Sequence, residues 1–144
     1  MAKRSRARQV TVQMLFQVDL NPDVDGRMVR GMIADRLSDE VLKEFSWELF
    51  LGVMEHRAEL DEQIQQAAEN WSLSRMAATD RAIIRLGAYE LMKTSVPVNV
   101  VIDEAIELAK KFGSSQSSQF VNGVLDKLVP LERRGVGFRR PKPQ

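Results

Sequence analysis

The sequence predicts an all-α protein of about seven helices, in two small bundles forming one compact domain. Three observations carry this. Apolar residues recur at three- and four-residue intervals along most of the chain. Proline, glycine and short polar residues punctuate those stripes at lengths that suit helices. The one β-branched run, Val96 to Ile102, is interrupted by Pro97 and Asn99, and a helical stripe explains it better.

The elements follow in order. Ala7, Val10, Met14 and Val18 mark a first helix from about Ser5 to Leu20. Asn21-Pro22 ends it, because a residue before proline is pushed out of the helical region. Met28, Met32, Ile33 and Leu37 mark a short second helix. Ser38 suits the N-cap of a third, with Asp39 and Glu40 favourable in its first turn. The stripe from Val41 through Phe45, Leu49, Val53, Leu60 and Ile64 to Trp71 is either one long helix or two with a bend near His56 to Glu59. Residues 72–79 read as a linker between bundles spanning about 5–71 and 79–129. Thr79 suits the cap of the next helix, which carries Ile83, Ile84, Leu86 and Leu91 and stops before Pro97. Val100, Ile102, Ala105, Ile106, Ala109 and Phe112 form another stripe, closed by Gly113 as C-cap. Phe120 to Leu128 form the last helix, ended before Pro130. The helical domain then covers 1–132, and the Arg-, Gly- and Pro-rich stretch 133–144 reads as a disordered basic tail. Gly123 inside a helix costs about 1 kcal/mol against alanine, which close helix packing would explain. Trp47, Trp71 and Tyr89 read as core anchors.

Composition limits the chemistry. The 144 residues suit one domain, and 44% apolar with 28% charged residues is the balance of a globular protein. No apolar run reaches the roughly 18 residues a membrane span needs. Thr11, Gln13, Gln17 and Asp19 break any apolar stretch behind the basic start, so no export signal is read and a cytoplasmic protein is expected. Cysteine is absent and His56 is the only histidine. That removes thiol nucleophiles and Cys-ligated zinc, and leaves almost no material for a Ser-His-Asp triad or a multi-His metal site. No cofactor, no metal and no enzymatic activity are expected; Asp103, Glu104 and Glu107 lack matching ligands elsewhere and read as surface charge.

The net charge of +1 is unevenly placed. Nine of the 21 basic residues lie in residues 1–8 and 133–144, which hold no acid, leaving 12 against 20 acids between them. Basic ends on an acidic body suit a polyanion partner, with solubility tails as the plainer alternative.

Three stretches carry a family resemblance. One is Ala7-Arg8 through Leu15-Phe16 after the arginine-rich start. A second joins Trp71-Ser72-Leu73-Ser74-Arg75-Met76 to Asp80-Arg81-Ala82-Ile83-Ile84-Arg85 and Tyr89-Glu90-Leu91. The third and most specific runs from Pro97-Val98 and Ile102-Asp103-Glu104-Ala105-Ile106-Glu107-Leu108-Ala109-Lys110 to Phe112-Gly113, Ser117 and Phe120-Val121-Asn122-Gly123-Val124-Leu125-Asp126. From about Arg4 to Leu128 the chain resembles the NusB family of transcription antitermination proteins. The resemblance implies an all-α fold of two helical subdomains. It implies binding of single-stranded boxA RNA together with NusE, a small-subunit ribosomal protein, within the RNA polymerase antitermination complex, notably during ribosomal RNA transcription. Some members are homodimers, so a homodimer is a further possible assembly. The same resemblance extends to an RNA-binding accessory domain of an rRNA methyltransferase. A helix-turn-helix DNA-binding protein is a second alternative, although no helix here concentrates basic or amide residues on one face.

On that resemblance, Lys3, Arg4, Arg6 and Arg8 are the expected RNA-contacting segment, flexible until RNA orders it. Arg4 and Arg8, four residues apart, fall on one helical face. Gln116, Ser117 and Gln119 are expected at the RNA surface. Relatives can carry an acid near Gln116, and a neutral amide there removes repulsion with phosphate. Phe16, Asp80 and Phe120 are the expected partner-protein contacts. Each has a plain alternative: Phe16 and Phe120 as core packing, Asp80 as helix-dipole compensation. Phe120 also suits the RNA surface. Glu90, Glu104 and Glu107 read as partner contacts or solvated positions, with the solvated reading favoured for Glu107. Arg75, Arg81 and Arg85 are expected to pair internally with Asp80 and Glu90.

Overall fold

A computed structural model describes residues 3–134. These form seven α-helices and two single 3-10 turns, with no strand among the described residues. The chain divides into two units, Met1–His56 and Arg57–Gln144. The polar run at residues 72–79 suggests a division near residue 75. It falls instead between His56 and Arg57, because the long stripe that starts at Val41 is two helices, and the second packs with the later helices of the chain.

The first unit holds α1 (Lys3–Leu20), α2 (Gly26–Arg36) and α3 (Glu40–Glu55). Helix α1 packs on α2 and α3, and α2 on α3. Ala7, Val10 and Met14 are buried as their stripe predicts, and Val12 is buried too, so α1 is covered on more than one face. Buried Thr11 donates its hydroxyl to the Ala7 carbonyl at 2.9 Å and lies 2.8 Å from the Ser46 hydroxyl, which pins α1 to α3 by a satisfied polar contact. Asp25 caps α2 by accepting from Met28 N at 2.9 Å. Helix α3 is capped by Asp39 rather than Ser38: its carboxylate accepts from Val41 N at 2.8 Å and Leu42 N at 3.2 Å. A carboxylate satisfies two amide donors and opposes the helix dipole, where a hydroxyl would do only the first. His56 ends α3, donating Nδ1–H to the Gly52 carbonyl at 2.9 Å.

The second unit holds α4 (Arg57–Ala67), α5 (Ala78–Lys93), α6 (Val98–Phe112) and α7 (Ser117–Leu128), with short turns at Leu73–Arg75 and Leu131–Arg133. Helix α5 is its centre, buried without interruption from Ala82 to Ala88 and packed against α4, α6 and α7. It starts at Ala78 with Ala77 as N-cap, so Thr79 lies inside the first turn and makes no cap. Inside this unit Arg85 is buried and binds Asp61 of α4 through two parallel bonds, 2.8 and 2.9 Å. Arg81 donates to the carbonyls of Leu73 and Met76 at 2.8 and 3.0 Å. Both arginines are held internally, by Asp61 and backbone carbonyls, and the expected pairing with Asp80 is not made. Glu90 is itself buried, which removes it as a solvated or partner-facing acid, while Glu107 is exposed beside Lys110.

Two features of the second unit depart from the sequence expectations. Arg133 is not part of a tail. Its guanidinium donates to the carbonyls of Glu90, Thr94 and Val96 around the C-terminal end of α5, two of them at 3.1 Å, which satisfies carbonyls that a helix end leaves open. Arg134 likewise binds the carbonyls of Val129 and Asp126 at 3.1 and 3.0 Å. The rest of the expected tail lies outside the described residues. Gly123 is exposed with no neighbour within 4 Å of a built Cβ, so close packing does not explain it. The close approach is at Gly87, where a Cβ would lie 2.7 Å from a Leu125 methyl. Gly87→Ala is therefore expected to destabilise by about 1–3 kcal/mol, and Gly123→Ala to stabilise by up to about 1 kcal/mol. Thermal denaturation followed by circular dichroism reads both, and equal effects would contradict the packing described. No described helix is long and apolar enough to cross a membrane.

Candidate nucleic-acid interface

In the first unit, Lys3, Arg4, Arg6 and Arg8 are already helical, as the opening turns of α1, and not an arm awaiting a ligand. The guanidinium groups of Arg4 and Arg8 lie over the Phe45 ring of α3, 4.8 and 5.3 Å from its centre. That stacking anchors the start of α1 and offsets the unfavourable placing of cations at a helix N-terminus. Arg8 is only 4% exposed, so it belongs to the packing and not to an open phosphate-binding face. Lys3, Arg4 and Arg6 are exposed, and α1 has no acid in its first turn. Three exposed cations with no acid in the first turn make a local positive field suited to phosphate. Phe16 is half-buried on the same helix.

In the second unit, the residues expected from Asp80 to Phe120 come together. A cavity of about 450 Å³ is lined by Trp71, Arg75, Asp80, Gln116, Gln119 and Phe120, among others. It forms because the starts of α5 and α7 and the turn at Leu73–Arg75 converge. Gln65 of α4 fixes that turn, donating Nε2–H to the Trp71 carbonyl at 2.8 Å and accepting from Leu73 N at 3.0 Å. Trp71, expected as a core anchor, is instead 51% exposed and meets Phe120 edge to face, 6.5 Å between ring centres and 73° between planes. Gln116 and Gln119 are exposed. Ser117 is 2% exposed, and its hydroxyl accepts from Ser114 N at 2.9 Å. It builds the turn before α7 and lines the floor of the cavity with little surface of its own.

Asp80 is 8% exposed, and its Oδ1 has no hydrogen-bond partner. Burial without a donor costs a polar group about 1–3 kcal/mol, which the ordinary helix-dipole role of an acid at this position does not repay in full. Asp80 also lines the cavity. Sequence reasoning missed Trp71 and Arg75 as cavity residues. The available signal was that Trp71 ends its stripe immediately before the polar run Ser72 to Ser74. Among the described residues no three of His, Asp or Glu gather as metal ligands.

Comparison with known proteins agrees on one family. Residues 5–130 match the NusB family. The transcription antitermination protein NusB of Anaeromyxobacter dehalogenans (strain 2CP-1) is 43% identical over 138 residues, 93% of this chain and 97% of that protein. The structure of T. maritima NusB is similar with a TM-score of 0.80 at 34% identity, over 92% of this chain and 96% of that one. A structure of antitermination factors NusB and NusE in complex with dsRNA is similar with a TM-score of 0.79 at 25% identity, over 88% of this chain and 95% of that one.

Proposed function

The chain belongs to the NusB family, and from that premise we propose that it is a transcription antitermination factor that binds boxA-type single-stranded RNA together with the ribosomal protein NusE, joining the RNA polymerase antitermination complex that supports ribosomal RNA transcription. The observation that carries the RNA half is the exposed basic start of α1, with Lys3, Arg4 and Arg6 open and no acid in the first turn. It acts in the cytoplasm by recognition without chemistry: cations gather the phosphate backbone by releasing counterions, and a polar and aromatic surface reads unstacked bases. Gln116, Gln119, Phe120 and Asp80 share one cavity lining, which supports a single recognition surface where the expected RNA contacts and the expected protein-partner contacts adjoin. Phe16, Asp80 and Phe120 are the residues proposed for NusE. The RNA polymerase complex is reached through these two ligands, and a homodimer is a competing assembly state.

A polarisation titration of labelled boxA-type RNA, with and without NusE and at two salt concentrations, tests this. RNA affinity should rise when NusE is present and fall steeply with salt. RNA affinity indifferent to NusE would remove the joint-binding reading. Because the similar NusB–NusE structure holds dsRNA, an RNA duplex of the same sequence serves as competitor, and preference for the duplex would overturn the single-stranded assignment.

A further inference from the structure

The chain between α4 and α5 is strapped from both sides by side chains of those helices. Gln65 of α4 holds the Trp71 carbonyl at 2.8 Å and the Leu73 amide at 3.0 Å. Arg81 of α5 holds the Leu73 and Met76 carbonyls, at 2.8 and 3.0 Å. Glu69 enters the turn with a φ of 44°, in the left-handed region that a residue with a side chain adopts only at a cost. The Gln65 bonds fix the backbone on either side of Ser72, and with it the direction in which Trp71 leaves the chain. That direction leaves the indole 51% exposed, edge to face with Phe120. A tryptophan turned inward would bury far more apolar surface, so the straps act against the hydrophobic preference of the ring they carry.

Both rings line the cavity. Of the two charged residues in that lining Arg75 is exposed and Asp80 buried, so the charge the cavity presents is positive. A cationic side chain of a protein would also lie over an indole, but Arg75 repels it. A nucleotide answers both features, because its base is planar and its phosphate negative. We propose that Trp71 is a stacking residue for one unstacked base of the RNA, and that Gln65 is the positioning residue that holds it open. The inference rests on the RNA-binding reading above and names the ring that meets the base. Stacking engages the face of a base and not its edge, so this contact accepts any of the four. Because the indole is held outward before RNA arrives, little ordering cost is left for binding to meet.

The test uses the full chain and a twelve-nucleotide oligouridine. In a Trp47→Phe background Trp71 is the sole tryptophan, and saturating RNA should quench its emission, because a base lying on the indole deactivates its excited state. In fluorescence-polarisation titrations of the otherwise unaltered chain, Trp71→Leu should bind about five- to a hundredfold more weakly, and Trp71→Phe, which keeps a ring, within about threefold of the parent. Trp71 is exposed, so both variants should keep the parent's thermal melt. Gln65→Ala should weaken binding too, and Gln65→Ala combined with Trp71→Leu should be no weaker than Trp71→Leu alone, because Gln65 acts through the ring. Losses that simply add would overturn the positioning role. RNA that binds with unchanged Trp71 emission, or Trp71→Leu within about twofold of the parent, would overturn the stacking site and leave the RNA reading standing. No binding of the oligomer by the unaltered chain would overturn both. If Trp71→Leu kept its RNA affinity and lost affinity for NusE, the ring would serve the protein partner, and the proposal would be wrong.

Discussion

Replacing Lys3, Arg4 and Arg6 together by alanine is expected to lower the salt dependence of RNA binding by about two, in the slope of log K against log salt. Each phosphate contact to single-stranded RNA contributes roughly 0.7 to that slope, and these three cations are the exposed ones at the start of α1. At about 0.1 M salt the same change corresponds to roughly a hundredfold loss of affinity. The fold should respond in the opposite direction or not at all. Cations in the first turn oppose the helix dipole, so removing them leaves α1 as stable or slightly more so, minus the modest stacking of Arg4 on Phe45. Lower RNA affinity with an unchanged melting temperature separates recognition from structure; an unchanged salt slope would remove this face from the interface. Arg8 is left out deliberately, because it is buried over Phe45 and its loss would act on the packing of α1.

The second large effect is on stability. Asp61→Ala is expected to cost about 3 kcal/mol, seen as a fall of roughly 10 °C in melting temperature. The cause is the bidentate bond to Arg85, whose side chain is 7% exposed while that of Asp61 is 24% exposed. Removing the more open partner breaks both of the parallel bonds that Asp61 gives a guanidinium held inside the second unit. Arg57 lies 3.8 Å from the same carboxylate but is itself more open, so its separation from Asp61 adds little. RNA binding by the variant, measured below its melting temperature, should be unaltered. A melting temperature within a degree or two of the parent would mean that the pair is only a surface contact.

Much of the helical order was legible because local signals agree with it. Asn21-Pro22, Gly113 and Pro130 stop helices where backbone chemistry demands, and the stripe of α5 places its buried residues correctly. The stripe of α6 is only half right: Ala105 and Ala109 are buried, but Val100 is exposed and the buried Val101 and Leu108 lie beside the expected face. Caps were less legible. Ser38 and Asp39 are adjacent and both suit an N-cap, and only the path of the backbone into α3 selects Asp39. The two glycines show the same limit. Gly123 and Gly87 both look out of place in a helix, yet only the approach of α7 to α5 says that Leu125 fills the space beside Gly87.

The candidate sites divide the same way. Charge placement, the absence of cysteine and the family motifs are properties of the chain as a string, and they alone determined that this is a helical protein suited to polyanion recognition. Tertiary structure decided which of those residues remain available. It put Arg8 over Phe45, closed Ser117 into a turn, drew Arg133 onto the end of α5, and left Trp71 open beside a carboxylate without a donor. The physical reason is that exposure and hydrogen-bond satisfaction depend on residues distant in sequence, which periodicity, being a nearest-neighbour property, does not contain.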